Sequence, residues 1–167
     1  MKWLKRIFGK ARSTQTHSAE LARNAEYVEG QLIDELDPEL RKTLEQIARH
    51  DTPEARHKML GLLKSTTLLV LSPDASTEPG PRRIERGETV NLAIAESTDG
   101  SDYVPAFTTP GLLHNYLQTG TLGYFPVDAI ALMEMLEGSQ TNIVLDSGSA
   151  HSVTIRYEEF EELLRYL

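Results

Sequence analysis

From residue 37 onward the apolar positions switch repeatedly between a helical and an extended period, and that switching predicts the elements. Asp37-Pro38 is a capping residue followed by a first-turn proline, and Leu40, Leu44, Ile47 and Ala48 then recur on one helical face. Thr52-Pro53 repeats the signal ahead of Met59, Leu60, Leu62 and Leu63. Two consecutive helices, over 38–50 and 53–64, follow. The run Thr66–Leu71 is apolar and β-branched, which predicts a buried strand. Residues 72–86 are rich in Pro, Gly and charge and read as a long loop. Val90, Leu92 and Ile94 alternate with Asn91, Ala93 and Ala95, Asp99-Gly100 marks a turn, and Tyr103–Thr108 returns, so a hairpin is expected.

Thr109-Pro110 opens a helix over 110–119, and a short extended piece, Thr121–Pro126, comes next. Asp128 is placed to cap a helix over 128–137 that Gly138 ends. Asn142–Leu145 and Ser152–Tyr157 read as strands around the turn Asp146-Ser147-Gly148-Ser149, and an acidic helix over 158–166 closes the chain. The order predicts an α+β fold, a mixed sheet with helices packed against it and helices ahead of it.

The first 35 residues follow another pattern. Trp3, Leu4, Ile7 and Phe8 share a helical face, while Lys2, Lys5, Arg6 and Lys10 take the other. Basic plus aromatic residues are the composition of a segment that lies on an anionic membrane or docks on a partner. Residues 12–19 are small and polar, a linker, and 20–35 suit an extra helix with a thin stripe of Leu21, Ala25, Val28 and Leu32. The expected organisation is a tail and linker over 1–19, a helix over 20–35 and a domain over 36–167. Charge follows the same division. The net charge is −8, yet residues 1–13 hold five of the 17 basic residues and none of the 25 acidic ones. An acidic body repels phosphate backbones, so nucleic acid is not the expected ligand.

The absence of cysteine excludes disulfides, thiolate metal sites and thiol catalysis. No stretch approaches the roughly 18 apolar residues of a membrane span, and the basic start lacks a signal-peptide core. The expected location is cytoplasmic, with peripheral attachment at the inner face of the membrane through Lys2–Phe8.

Three stretches carry a family resemblance: Asp99-Gly100 leading to Tyr103-Val104-Pro105-Ala106-Phe107-Thr108-Thr109-Pro110; Gly123-Tyr124-Phe125-Pro126-Val127-Asp128 with the Ala/Leu-rich helix after it; and Asn142–Leu145 with its small-residue turn. Over residues 36–167 the chain resembles the N-terminal domain of the SseB family, the "enhanced serine sensitivity" proteins. It departs at Thr108-Thr109, where Thr-Ser is expected, and at Asp146-Ser147-Gly148, where the family tends towards Asn-Pro-Gly. The chain ends before the second domain expected of longer members. The resemblance implies a fold and brings no catalytic residues or cofactor.

Tests for chemistry agree. There is no phosphate-binding glycine loop, and His17, His50, His57, His114 and His151 lie at no metal-ligand spacing, so no metal or cofactor is expected. Asp146, Ser149 and His151 are close in sequence, but a triad is a spatial arrangement and no nucleophile elbow surrounds Ser149. The best surface is the strand-to-helix junction, where Tyr103, Pro105, Phe107, Thr108, Thr109 and Tyr124 are the candidate binding residues; Thr109 also suits a cap and Phe107 the core. The expected function is a non-enzymatic, protein-binding adaptor. The alternatives are a small-molecule sensor linked to serine or other amino-acid metabolism, and an oligomer built on a sheet edge.

Overall fold

The computed structural model describes residues 37–73, 90–118 and 122–166. The tail, linker and helix expected over 1–35 and the arginines of the 72–86 loop (Arg82, Arg83, Arg86) lie outside those residues. In chain order the described elements are α1 (Pro38–Arg49), α2 (Pro53–Leu63), β1 (Thr67–Ser72), β2 (Ala95–Glu96), β3 (Asp102–Phe107), α3 (Pro110–Leu117), β4 (Gly123–Asp128), α4 (Ala129–Leu136), β5 (Asn142–Leu145), β6 (Val153–Ile155) and α5 (Tyr157–Leu164). The fold is α+β with a mixed sheet of order β4-β1-β3-β5-β6, and β2 pairs with β3. All pairings are antiparallel except β3 with β5.

The three Asp/Thr-Pro signals each start a helix. The Glu39 N–H donates to Asp37 Oδ1 at 2.7 Å, Ala55 N–H to Thr52 Oγ1 at 3.2 Å, and Leu112 N–H to Thr109 Oγ1 at 3.4 Å. Each cap satisfies an N–H that the first helical turn leaves without a partner. Asp128 behaves differently: its side chain makes no cap bond and accepts from Thr67 Oγ1 at 3.3 Å. Ala48, expected to face inward, is exposed at the end of α1.

The sheet has a thick and a thin side. On the first face, α1, α2, α4 and α5 pack Leu40, Leu44, Met59, Leu63, Leu132 and Phe160 against Leu68, Val70, Val104, Ile143 and Ile155. On the second, α3 alone among the described elements lays Leu113 over Leu69, Leu71, Phe107 and Tyr124. Thus β1 is buried on both sides, which is why its sequence is a continuous apolar run rather than an alternation.

The predicted hairpin is shorter than its alternation suggests. Only Ala95 and Glu96 pair with β3, opposite Tyr103 and Asp102. The same flank of β3 is already occupied at Phe107 and Ala106 by Leu69 and Val70 of β1. Residues 90–94 are held instead through contacts such as Ala93 N–H to Leu71 C=O at 2.9 Å.

Both outer strands carry a device against pairing with another chain. The register sets Pro126 opposite Leu69, and Ala129 N–H donates inward to Thr66 C=O. In an antiparallel ladder inward N–H groups alternate, so residues 125, 127 and 129 donate inward and 126 faces outward. Proline therefore stands where β4 would otherwise present a central outward donor. At the other edge β6 is three residues long, and its Thr154 C=O accepts from the Arg56 guanidinium at 3.0 Å. This argues against an oligomer built by strand addition. Replacing Pro126 with threonine is expected to leave the fold intact and to raise self-association, read as concentration-dependent mass by analytical ultracentrifugation.

Candidate functional site

Because β3 and β5 run parallel, their carboxyl ends lie side by side, and the segments that follow them meet there. Asp146 N–H donates to Ala106 C=O at 2.7 Å, continuing the ladder one residue beyond β5. The chain then turns through Asp146 (φ 50°) and Gly148 (φ 81°). The left-handed conformation suits Asp and Asn better than most side chains and suits Gly best. A Cβ on Gly148 would also meet the Tyr116 ring at 3.4 Å, so α3 sits directly against this turn.

Asp146 is 2% exposed. Its Oδ1 accepts from Thr108 N–H at 2.8 Å, and both carboxylate oxygens lie 2.9 Å from Thr108 Oγ1. Burial pushes its titration up, partly opposed by the Thr108 backbone and hydroxyl donors and by the charge of His151. The Tyr116 phenol is likewise held above the usual tyrosine range by burial, beside the phenol of Tyr103 and the hydroxyl of Ser147. Its ring lies 5.1 Å from that of Phe107.

Each candidate binding residue now has a place. Phe107 is completely buried and Tyr124 nearly so, both in the cluster beneath α3. Pro105 is buried in β3, and Thr109 is spent on its cap. Their side chains present almost no surface, so they shape the junction rather than contact a partner. Tyr103 and Thr108 remain half-exposed. Thr109→Ala is expected to cost about 1 kcal/mol, the usual worth of such a cap, read as a lowered urea midpoint. The docking residues Lys2, Trp3, Leu4, Lys5, Arg6, Ile7 and Phe8 lie outside the described residues.

Asp146 is the residue that sequence reasoning undervalued. Its signal is an acidic residue directly after an apolar strand and two before a glycine, a composition suited to a left-handed turn. Its partner, 38 positions away, has no local signature. The neighbouring Ser149 and His151 do not form a relay with it. Ser149 Oγ accepts from the His151 backbone N–H at 3.1 Å, and Asp146 spends its oxygens on Thr108.

The family model of the SseB protein N-terminal domain matches residues 40–162. The chain belongs to the SseB family. No curated protein and no solved structure matches it. The match runs from α1 into α5, so the SseB domain takes in the whole described sheet and the β3–β5 junction. Among the described residues of this SseB domain, no group of His, Asp and Glu is gathered so as to hold a metal ion, and no helix is long and apolar enough to cross a membrane.

Proposed function

We propose that this SseB domain is a non-catalytic adaptor that takes a protein partner on the half of its second sheet face that no described element covers. The observation that carries this reading is the asymmetry of that face. The helix α3 covers the β4–β1–β3 side, while across β3, β5 and β6 the row Pro105, Val144, Thr154 passes from buried through half-exposed to exposed. Half-exposed Tyr103 lies on the same face, two residues from Pro105. A tyrosine with an apolar body and a polar tip, set among small and β-branched side chains, is suited to protein contact. The guarded strand edges favour a partner that docks on the face over one that adds a strand.

The polar groups nearby favour binding over catalysis. A general base must reach the proton it abstracts, whereas Asp146 is 2% exposed and its carboxylate is turned onto the N–H and hydroxyl of Thr108. The basic N-terminal segment supplies attachment to an anionic membrane surface from the cytoplasmic side.

A photo-crosslinking residue at position 103 is expected to give one discrete protein adduct in cells, and the same residue at Glu134 on α4 none. Equal adducts from both positions, or none from 103, would reject the adaptor surface. The second reading, a small-molecule sensor, rests on the cluster of Tyr103, Tyr116 and Ser147 hydroxyls near the ends of parallel strands, a frequent ligand position. It requires thermal stabilisation by a member of an amino-acid panel. Liposome co-sedimentation tests the attachment: binding should be confined to anionic vesicles and lost at high salt.

A further inference from the structure

The outer side of α5 carries three carboxylates, with Arg165 at its C-terminal cap as the cation beside them. At about 100° per residue, Glu158, Glu161 and Glu162 fall within one arc of roughly 100°, turned away from buried Phe160. The ion pairs among the described residues engage Glu39, Glu45, Asp51 and Glu159 and none of these three. Glu158 stands beside the phenol of neighbouring Tyr157 and raises its titration. An exposed apolar side chain follows them one turn on: Tyr166, just past the helix, is 80% exposed. Carboxylates beside an exposed apolar side chain suit a segment that is both basic and apolar.

The chain carries such a segment. Lys2, Lys5, Arg6, Lys10 and Arg12 come without an acidic residue and are interleaved with Trp3, Leu4, Ile7 and Phe8. We infer that residues 2–12 dock on the acidic outer face of α5 in their own chain. The residues between 13 and 37 can span at most about 80 Å, well over the radius of gyration of about 14 Å of a domain this size, so the face is within reach. Tethering of this kind sets an effective concentration on the order of 1 mM, at which a dissociation constant of about 0.1 mM keeps the segment docked about 90% of the time. Each cation close to a carboxylate at low ionic strength contributes, and salt weakens the sum. A docked segment withholds its cations from a membrane, so attachment requires release from α5. This inference stands independently of what the Tyr103 surface binds.

Trp3 is the only tryptophan of the chain, so its fluorescence reports the segment directly. The full-length protein is compared with a Glu161→Lys/Glu162→Lys variant by acrylamide quenching, at low salt and near 1 M salt, where the screening length is about 3 Å. Both changes lie in the last turns of α5, where lysine is compatible with the helix dipole, and circular dichroism checks that the variant is folded. The expected result is a protected, blue-shifted Trp3 in the wild-type protein at low salt, with protection lost at high salt and in the variant. A Trp3 as accessible at low salt as a free tryptophan derivative overturns the inference. So does protection that survives the charge reversal, and so does protection that grows with protein concentration, which places the segment on a second copy.

Discussion

Asp146→Ala is expected to cost the domain about 3 kcal/mol, while Asp146→Asn leaves stability unchanged or raises it. The alanine change removes the acceptor of the Thr108 N–H and hydroxyl at the junction of β3 and α3. A part-buried donor left without a partner costs about 1–3 kcal/mol. The left-handed turn at φ 50° adds about 1–2 kcal/mol for a side chain that cannot bond locally. Relief of the buried charge offsets part of this sum. Asparagine tolerates the turn, keeps an oxygen for the Thr108 N–H and carries no charge.

The pH dependence separates the two variants. Burial raises the Asp146 titration in the folded state, so the native chain holds this proton more tightly than the unfolded chain does. Asp146 then contributes most to stability below the ordinary aspartate range, about pH 4. That contribution declines as pH rises through the folded value. The advantage of the Asp146→Asn variant over the wild type should therefore grow from about pH 4 upward and level off once Asp146 is ionised. Urea unfolding at several pH values reads this directly. An advantage that shrinks with rising pH would show that the Thr108 donors, rather than burial, dominate the site.

Arg56→Ala is expected to cost about 2 kcal/mol and to loosen α5 first. The guanidinium holds Asp51 through two bonds of 2.7 Å, Glu159 through Nη1 at 2.9 Å from each oxygen, and the Thr154 C=O at 3.0 Å. The Arg56 and Glu159 side chains are only about one-fifth exposed, so this pair is screened less than an ordinary surface pair; Asp51 is open and contributes little. Glu159 also accepts from Arg156 N–H at 2.8 Å, so the ion pair fixes the residue that starts α5. The hydrogen bond from Arg56 holds the Asp51 carboxyl below its usual range. A lowered folded value contributes stability above about pH 4 that is lost as pH falls through it. The difference between wild type and Arg56→Ala should narrow in acid, the reverse of the Asp146 profile. A double-mutant cycle with Glu159→Gln should show strong coupling, and hydrogen exchange should show the loss of protection concentrated in α5. Additive effects would mean that Arg56 acts only by packing its stem.

What the sequence disclosed and what it withheld have separate physical causes. The helix starts at Asp37, Thr52 and Thr109 were legible because cap and proline are local chemistry. The buried strand β1 was legible because burial on two faces requires an unbroken apolar run. The strand β4 was expected to stop at Pro126, yet it reaches Asp128, because Thr67 pairs with Asp128 across the sheet. Residues 90–94 have strand periodicity but no free flank of β3 to pair with, a competition decided by β1. At the candidate site, the Thr109 cap was readable, whereas the bond from Thr108 to Asp146 depends on two strands that become neighbours only in the finished sheet. Phe107 was read as surface and core at once and Tyr124 as surface, and the cover given by α3 puts both in the core.

The position of β1 has a consequence for synthesis on the ribosome. This strand is made early but lies second in the sheet, between β4 and β3, so its flanks stay empty until Phe107 and then Asp128 have been made. Its unbroken apolar run is the kind of segment that other chains or chaperones bind while it waits. The Arg56 clasp closes only when Glu159 arrives, 103 residues later. Nascent chains halted between β1 and β4 should therefore be protease-sensitive throughout, and resistance should appear in a single step once α5 has cleared the exit tunnel.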